Sequence, residues 1–412
     1  MVLPWILLAC SGTDDTGEPV DSDPADTGET DTEETDTDPE VIDDTAEDTD
    51  DGEDDMVPDA EDEAQYAALF DLAEVQHIEL ELDEEALAAL RATPEEYVDG
   101  AFTHDGVRVE VEVKLSGGDA TFRTIDEKPC FRVKFDEDDD YAGLRRANLE
   151  NMEDDASQAR EVLGFQLWAA SGQKAPVANY AEVWVNGSSY GLYANVEEVD
   201  HAFLYRHYSD ATGDLWEAGF ESDFTPGGVL TYELVSGEGD EEGLDAARRQ
   251  VQSNDGPFYD AADEVIKMET FLGFWAWMVA IGNEDVYPYD LDDHYLYRLP
   301  ADDRYTFLPG GMAESWDDGM DWEAYTGTLA VQCAYDEACM PLFLAALSAA
   351  LDEYEALDPN AMASDALDIS VPFTQLDTRR SFTLAEVVTA RSGLLTEVTG
   401  RPNVVRALVG VE

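Results

Sequence analysis

The segment IGNEDVYPYDLDDHYLYRLPADDRYTFLPGGMAESW, residues 281–316, alternates acidic loops with two strand-like runs. The apolar run of residues 271–281 leads into it and predicts a buried helix that ends at Gly282. Asp285 then lies in a loop directly beyond a rigid element. Carboxylates presented in this way are suited to holding a metal ion or addressing a phosphate group, so this segment predicts a site as well as a fold.

Two hairpins are predicted from local patterns. Alternation and aromatic residues favour strands at 294–299 and 305–308, joined by a turn at 301–303. Upstream, two short aromatic and β-branched runs, 180–185 and 190–196, flank an Asn-Gly pair. An Asn-Gly pair between such runs is the strongest short-range signal for a β-hairpin.

Four motifs occur in a fixed order along the chain and resemble those of a known family. They are KPCFRVKF (128–135), VNGSSYGLYANVEEVD (185–200), GNEDVYPYDLDDHYLYRL (282–299) and YTFLP (305–309). Together they resemble the spore coat protein H (CotH) kinases, over about residues 77–357. The resemblance implies an α+β, atypical two-lobed protein-kinase-like fold, with a β-rich N-lobe, a helix-rich C-lobe, and ATP with Mg²⁺ or Mn²⁺ as cofactors.

The resemblance also implies roles for individual residues. Asp285 is the candidate catalytic or hydroxyl-positioning acid, and Asp293 stands where the family usually has a metal-binding Asn. Lys128 is the first candidate for pairing the phosphates and Lys134 the second. Glu197 matches the family's acid after the hairpin, and it would either pair the lysine or face the nucleotide. The competing interpretation is that these acids are solvated surface groups and these lysines ordinary strand residues with snorkelling stems.

The chain departs from the family after the Phe-Leu-Pro strand, where relatives usually carry a metal-binding Asp. The two positions where that Asp would fall hold Gly311 and Ala313. Glu314, Asp317 or Asp318 would replace it only if the loop were remodelled. Because electrostatic stabilisation is usually the largest part of catalysis, a catalytically inactive pseudokinase is an alternative that the sequence leaves open.

The charge of the chain is extreme. The 412 residues carry 96 acidic and 22 basic side chains, a formal net charge of −74. Residues 11–64 contain 26 of the acids and no Lys or Arg, so the remainder is itself near −48. Repulsion of this size is relieved by salt or bound cations, which predicts a saline setting and excludes a nucleic-acid partner.

The N-terminal residues predict an exported lipoprotein. Residues 1–10 are largely apolar and end in Leu-Leu-Ala-Cys, which resembles a bacterial lipobox with Cys10 as the lipidated residue and with Ser11 favouring the outer membrane. The run is much shorter than the ~20 residues of a membrane span and lacks a positive start, so a start codon upstream would complete it. The alternative is a degraded leader in a soluble protein.

Residues 11–62 form a low-complexity segment of Asp, Glu, Thr, Gly and Pro, which predicts a disordered, extended linker. Acid clusters such as 48–55 are candidates for weak Ca²⁺ binding, but they lack the glycine-and-glutamate pattern of a Ca²⁺ loop. The predicted kinase-like domain is 63–412, with lobes at about 63–201 and 202–412.

The remaining cysteines are consistent with export. Cys333 and Cys339 have the short spacing of a local disulfide, whereas zinc would need further ligands that are not nearby. Cys130, between Pro129 and Phe131, is expected to be a buried free thiol.

Taken together, the sequence predicts an exported, lipid-anchored CotH-like kinase that phosphorylates hydroxyl groups of surface or exported proteins. The membrane is contacted only through the lipid. The alternatives are the pseudokinase, acting as a surface binding protein, and an acidic Ca²⁺-dependent structural lipoprotein. The last alternative predicts that removal of residues 11–62 abolishes function.

Overall fold

The computed structural model describes residues 58–118, 121–136, 140–253, 256–317 and 319–410. The predicted leader, Cys10, most of the linker and Asp318 lie outside the described residues. The first helix begins at Ala60, three residues before the predicted start of the domain.

Seven strands form a closed barrel, and alternation along some of them separates a buried face from an exposed one. In β3, for example, Val109, Val111 and Val113 are buried while Glu110 and Glu112 between them are exposed. The barrel strands are β1 (Gln76–Glu81), β2 (Val98–His104), β3 (Val107–Ser116), β4 (Cys130–Phe135), β5 (Arg146–Glu150), β6 (Ala178–Val185) and β7 (Ser188–Glu197). β1 pairs in parallel with β6, and this long-range pairing, which the sequence did not predict, joins the two ends of the sheet.

Both predicted hairpins are confirmed. Asn186 and Gly187 adopt positive φ angles of 50° and 72° between β6 and β7, as a tight hairpin turn requires. A second sheet of four strands contains the other hairpin in the order β11-β10-β8-β9. Its strands are β8 (Leu215–Ala218), β9 (Tyr232–Ser236), β10 (His294–Leu299) and β11 (Arg304–Pro309).

Helices make up most of the chain after the barrel, so the fold is a mixed α+β fold. The helices are α1 (Ala60–Leu69), α2 (Glu84–Ala92), α3 (Arg160–Ala170), α4 (His201–His207), α5 (Glu241–Val251), α6 (Phe258–Ala262), α7 (Met268–Ile281), α8 (Thr328–Tyr335), α9 (Cys339–Ala356), α10 (Pro359–Leu376) and α11 (Leu384–Val409).

The apolar helix α7 is the centre of the larger hydrophobic core. It is buried almost throughout and packs along α9, with the ring of Trp275 stacked on Phe343 at 3.7 Å. Gly282 ends it in the left-handed conformation, as predicted. The run 261–281 reads as one helix in sequence, but Val265 and Lys267 hydrogen-bond to Tyr305 of β11 and so separate α6 from α7. This fixes the start of α7 to the second sheet.

The cysteines lie as predicted within the described residues. Cys333 and Cys339 form a disulfide between α8 and α9, and Cys130 is a buried free thiol. In the described part of the chain no single helix is long and apolar enough to cross a membrane. Helices α8 and α9, bent by 111° relative to each other, have sufficient length and apolarity only when taken together.

Candidate active site

Asp285 is positioned by the end of α7 and by Asn283. Asn283 is buried, and its side chain accepts a hydrogen bond from Asp285 N at 3.0 Å while donating one to Gly311 O at 3.0 Å. The side chain of Asn283 therefore joins the loop after α7 to the segment after β11. Asn283 lies within the sequence motif of residues 282–299, but no role was predicted for it.

A turn beyond Asp285 brings two further aspartates back to it. Val286 O accepts hydrogen bonds from Tyr289 N and Asp290 N, which reverses the chain. As a result Asp285, Asp290 and Asp292 each offer a carboxylate oxygen, all within 4.8 Å of one another. We call these three residues the aspartate cluster. It could hold a metal ion, because hard divalent cations prefer carboxylate oxygens.

The electrostatics of the aspartate cluster also favour a cation. Burial, followed by the charges of Asp292 and Glu314, raises the pKa of Asp285 to about 7. Burial and the charge of Asp290 raise the pKa of Asp292 to about 6. A carboxyl group with a pKa near neutrality can accept a proton during catalysis, and a cation would relieve the repulsion between the acids.

Asp293 lies beside the aspartate cluster in a conformation that its residue type tolerates. Its φ angle is 45°, in the left-handed region where Asn and Asp are the most tolerated residues after Gly. Although solvent reaches Asp293, the surrounding protein limits hydration of its carboxyl group, and the charges of Asp285 and Asp292 raise its pKa further above the usual range. The structure therefore brings Asp285 and Asp293, both predicted site residues, into one acidic site.

Position 311, one of the two positions where an acid is expected from the resemblance, lies against Asp293. A Cβ added to Gly311 would lie 2.6 Å from Asp293 Oδ2, and one added to Gly310 would lie 2.7 Å from the Asp293 carbonyl carbon. The two glycines thus make room for Asp293. Ala313 carries no ligand atom, and Asp317 and Glu314 are not members of the cluster found among the described residues, although the charge of Glu314 is felt by Asp285.

Lys128, the first candidate for pairing the phosphates, lies in a buried ion pair. Its Nζ lies 2.9 Å from Asp377 Oδ2, and both side chains are inaccessible, at 1% and 0% exposure. A phosphate could reach this ammonium group only by breaking a buried ion pair. Lys134, the second candidate, is half-buried with its Nζ 5.7 Å from the centre of the Tyr97 ring.

The predicted role of Glu197 is also not supported by its contacts. Its carboxylate is buried, accepts a hydrogen bond from Val177 N at 3.0 Å and lies 3.1 Å from His207 Nε2. The next residue, Glu198, instead lies 3.2 Å from Arg132 of β4. Successive residues of an extended segment point to opposite sides, so the contact with Arg132 belongs to Glu198 and not to Glu197. Both alternatives for Glu197, pairing the lysine or facing the nucleotide, stay predictions.

Arg132 and Glu198 belong to a polar network that extends towards the second sheet. The amide of Asn148 also donates to Glu198, and the charges of both Arg132 and Glu198 act on Glu217. Tyr295, two residues from Asp293, donates to Glu217 at 2.9 Å. The partly accessible Arg132 is therefore a better candidate than Lys128 for meeting an anionic ligand.

Several functional candidates could not have been selected from the sequence. Asp290 and Asp292 stand among many other acids, and only the turn at Val286 distinguishes them. Arg132 lies inside a motif that drew attention to its lysines. The available signal was alternation along β4, which places Arg132 and Lys134 on the face opposite Phe131, Val133 and Phe135.

Two solved structures have weak similarity to this protein, and neither identifies its family. No curated protein matches the sequence. Among solved structures, the proinflammatory kinase CtkA of Helicobacter pylori is similar with a TM-score of 0.30 and 8% identity, over 68% of this chain and 93% of that chain. HipA, from the toxin–antitoxin system of Shewanella oneidensis MR-1, is similar with a TM-score of 0.33 and 12% identity, over 80% and 82% of the two chains.

The family comparison is stronger than either of these weak structural likenesses. The family model described as CotH kinase protein matches residues 117–340, which is more than half of the chain and includes the aspartate cluster, Asp293 and Arg132. The chain belongs to the CotH kinase family.

Proposed function

We propose that this protein is a kinase that transfers the γ-phosphate of ATP to hydroxyl groups of surface or exported proteins, with Mg²⁺ or Mn²⁺ as its metal. The observation that carries the proposal is the aspartate cluster, in which three carboxylates converge within 4.8 Å at the end of α7. Family membership supplies the reaction class, and this geometry supplies residues for it.

The residues of the acidic site divide between two tasks. Asp290, Asp292 and Asp293 would hold the metal, which when bound neutralises charge on the phosphates. Asp285, whose pKa of about 7 suits proton transfer near neutrality, would orient the acceptor hydroxyl and accept its proton. Arg132 would face the phosphates while remaining paired with Glu198.

The proposal also assigns the lobes, the lipid anchor and the linker as the family resemblance implies. The barrel would serve as the N-lobe, about 63–201, and the second sheet with the later helices as the C-lobe, about 202–412. Cys10 would carry the lipid, and residues 11–62 would hold the kinase away from an outer membrane. The linker's exclusively acidic charge supports an extended spacer.

A pseudokinase is the second candidate, and specific observations favour it. Neither Gly311 nor Ala313 can bind a metal, and Lys128 is committed to Asp377. If Asp293 does not replace the missing acid, the protein would keep the kinase-like fold for binding partners at the cell surface.

The test is γ-phosphate transfer from ATP by the full chain, in high salt with Mg²⁺ or Mn²⁺. Asp285→Asn should abolish transfer, and Arg132→Met should weaken ATP binding by about tenfold through loss of a charged contact. Arg108→Met is the control for Arg132, because Arg108 pairs with exposed glutamates on the barrel surface. Absence of transfer by a folded wild-type chain, both to surface or exported proteins and to generic protein acceptors, would favour the pseudokinase.

A further inference from the structure

Arg401 of α11 is buried against the C-terminal end of α7, immediately before the loop that carries Asp285. Only 2% of Arg401 is exposed, and its guanidinium donates to Val279 O at 2.9 Å and Ala280 O at 3.3 Å. Its Nη1 donates to Asp317 O at 2.9 Å. One side chain thus joins the last turn of α7 to the segment after β11.

The backbone completes the same junction. Trp316 N donates to Ile281 O at 2.7 Å and Asp317 N donates to Gly282 O at 3.0 Å. The carbonyls of residues 279–282, which a helix end leaves without intrahelical partners, are therefore satisfied by Arg401 and by residues 316–317. A cation at this end also complements the helix dipole.

Gly282 and Arg401 fit each other closely. Gly282 has a φ angle of 74°, and a Cβ at this position would lie 2.5 Å from Arg401 Cζ. The glycine is therefore needed for space as well as for its backbone conformation. Three residues later the chain reaches Asp285, so a displacement of Arg401 would be passed to Asp285 through a short, rigid connection.

Two further contacts attach α11 to the same segment. Trp316 Nε1 donates to the hydroxyl of Tyr354, which donates to Val398 O. Arg160 of α3 contacts both Ser315 O and Glu397, the latter at 2.7 Å. Helix α11 lies beyond residue 340, the end of the segment matched by the family model, yet Arg401 contacts Asp317 directly and α11 is linked to residues 315–316 through Arg160 and Tyr354.

We propose that Arg401 is a positioning residue for the acidic site: it sets the place of Asp285 relative to the segment 311–317 by holding both to α11. This inference rests on the proposed function for its catalytic readout. A guanidinium is suited to the task because its rigid fork serves three carbonyls at once, whereas an ammonium group cannot match all three directions. Misplacement of a reacting group by about 1 Å can cost about 100-fold in rate.

The test compares variants of the full chain at the same junction. Arg401→Lys and Arg401→Met remove part or all of the fork, and Gly282→Ala pushes a methyl group into it without changing a charge. The control is Arg406→Met on the same helix, because Arg406 pairs with the surface acids Asp352 and Glu355. Each variant is measured for Mn²⁺ affinity, for kcat and KM, and for its thermal unfolding midpoint.

A positioning role predicts a graded loss. Arg401→Met and Gly282→Ala should weaken Mn²⁺ binding and lower kcat by at least about tenfold with KM for ATP little changed, and Arg401→Lys should fall between them and the wild type. Arg406→Met should stay within twofold. If Arg401→Met does not fold, Arg401→Lys and Gly282→Ala carry the test.

The outcomes separate this inference from the kinase proposal. Variants that lower the unfolding midpoint but keep Mn²⁺ affinity and kcat within twofold would overturn the positioning role. A wild-type chain that transfers no phosphate, but whose Mn²⁺ affinity depends on Arg401, would overturn the kinase proposal and support the positioning role. A wild-type chain that neither transfers phosphate nor binds Mn²⁺ would overturn both.

Discussion

Two regions of this protein concentrate charge in opposite ways. Where Lys128 meets Asp377, the buried carboxylate also accepts hydrogen bonds from the backbone N–H groups of Leu192, Arg379 and Arg380. In the aspartate cluster, acids crowd together and raise one another's pKa. The first region is compensated within the protein, whereas the second would be compensated by a cation from outside. A compensated charge therefore favours stability in one place, and an uncompensated cluster of charge favours cation binding in the other.

The largest expected effect comes from breaking the compensated region. Lys128→Met leaves Asp377 without its cation in a site closed to water, and we expect a loss of about 3–5 kcal/mol in the free energy of unfolding. Urea denaturation at fixed high salt measures this loss. Lys174→Met, at an exposed lysine, is the matched control and should change stability by less than about 0.5 kcal/mol. A loss below 1 kcal/mol at Lys128 would show that the pair is not closed to solvent.

A metal ion should stabilise the crowded region. At a free Mn²⁺ concentration of 100 times its Kd, binding to the folded state alone adds about 2.7 kcal/mol to the free energy of unfolding. Thermal unfolding with and without Mn²⁺, at constant ionic strength, measures the gain. The double variant Asp290→Asn, Asp292→Asn should lose most of it. An equal gain in that variant would place the stabilising ion elsewhere on the acidic surface.

Protonation of Asp285 and Asp292 should raise the stability of the folded protein, as metal binding does, but by a smaller amount. Because the folded-state pKa values of Asp285 and Asp292 are raised to about 7 and about 6, the folded protein binds more protons than the unfolded chain between about pH 4 and 7. Metal-free stability should therefore rise as the pH falls from 8 to 5.5.

Comparison with variants separates this effect from the general charge of the chain. Asp285→Asn should be more stable than the wild type at pH 8 and should gain less on acidification. Asp99→Asn, at an exposed strand position, is the control and should follow the wild type. Parallel pH profiles for wild type and Asp285→Asn would mean that Asp285 titrates normally.

The smallest expected effect comes from adding a carboxylate next to Asp293 in the acidic site. Gly311→Asp places a side chain against Asp293, whose carboxyl group would have to move. We expect a coupling of about 1 kcal/mol between Gly311→Asp and Asp293→Asn in a double-mutant cycle of unfolding free energies. Additive effects would show that Asp293 moves aside without cost.

The parts of the fold that local signals encode were predictable. Asn186-Gly187 fixed one hairpin and Gly282 fixed the end of α7, because each of these residues favours a left-handed backbone conformation. Closure of the barrel was not predictable, since β1 and β6 lie about a hundred residues apart and nothing local specifies their pairing. Helix α10 was missed, and its internal Pro372 and polar start weaken the helical pattern.

The sequence motif identified two residues of the site, but it did not predict the environment of the other candidates or the turn that brings further aspartates to the site. Asp285 and Asp293 were found because their motif is distinctive, and they do lie together. Lys128 and Glu197 were chosen because they match family positions, but a motif does not specify the buried partners that these side chains have. In a chain with 96 acids, the selection of Asp290 and Asp292 depends on the turn that returns them to Asp285.

The shared space at positions 293 and 311 also constrains how such a sequence can evolve. An Asp at position 311 and the present rotamer of Asp293 exclude each other, so a change at either position alters the selection on the other. Lineages should therefore exchange the two together, passing through an Asn at 293 or a Gly at 311. Among homologues, covariation between these positions would record that history, with an acid at one position accompanied by a smaller or uncharged residue at the other.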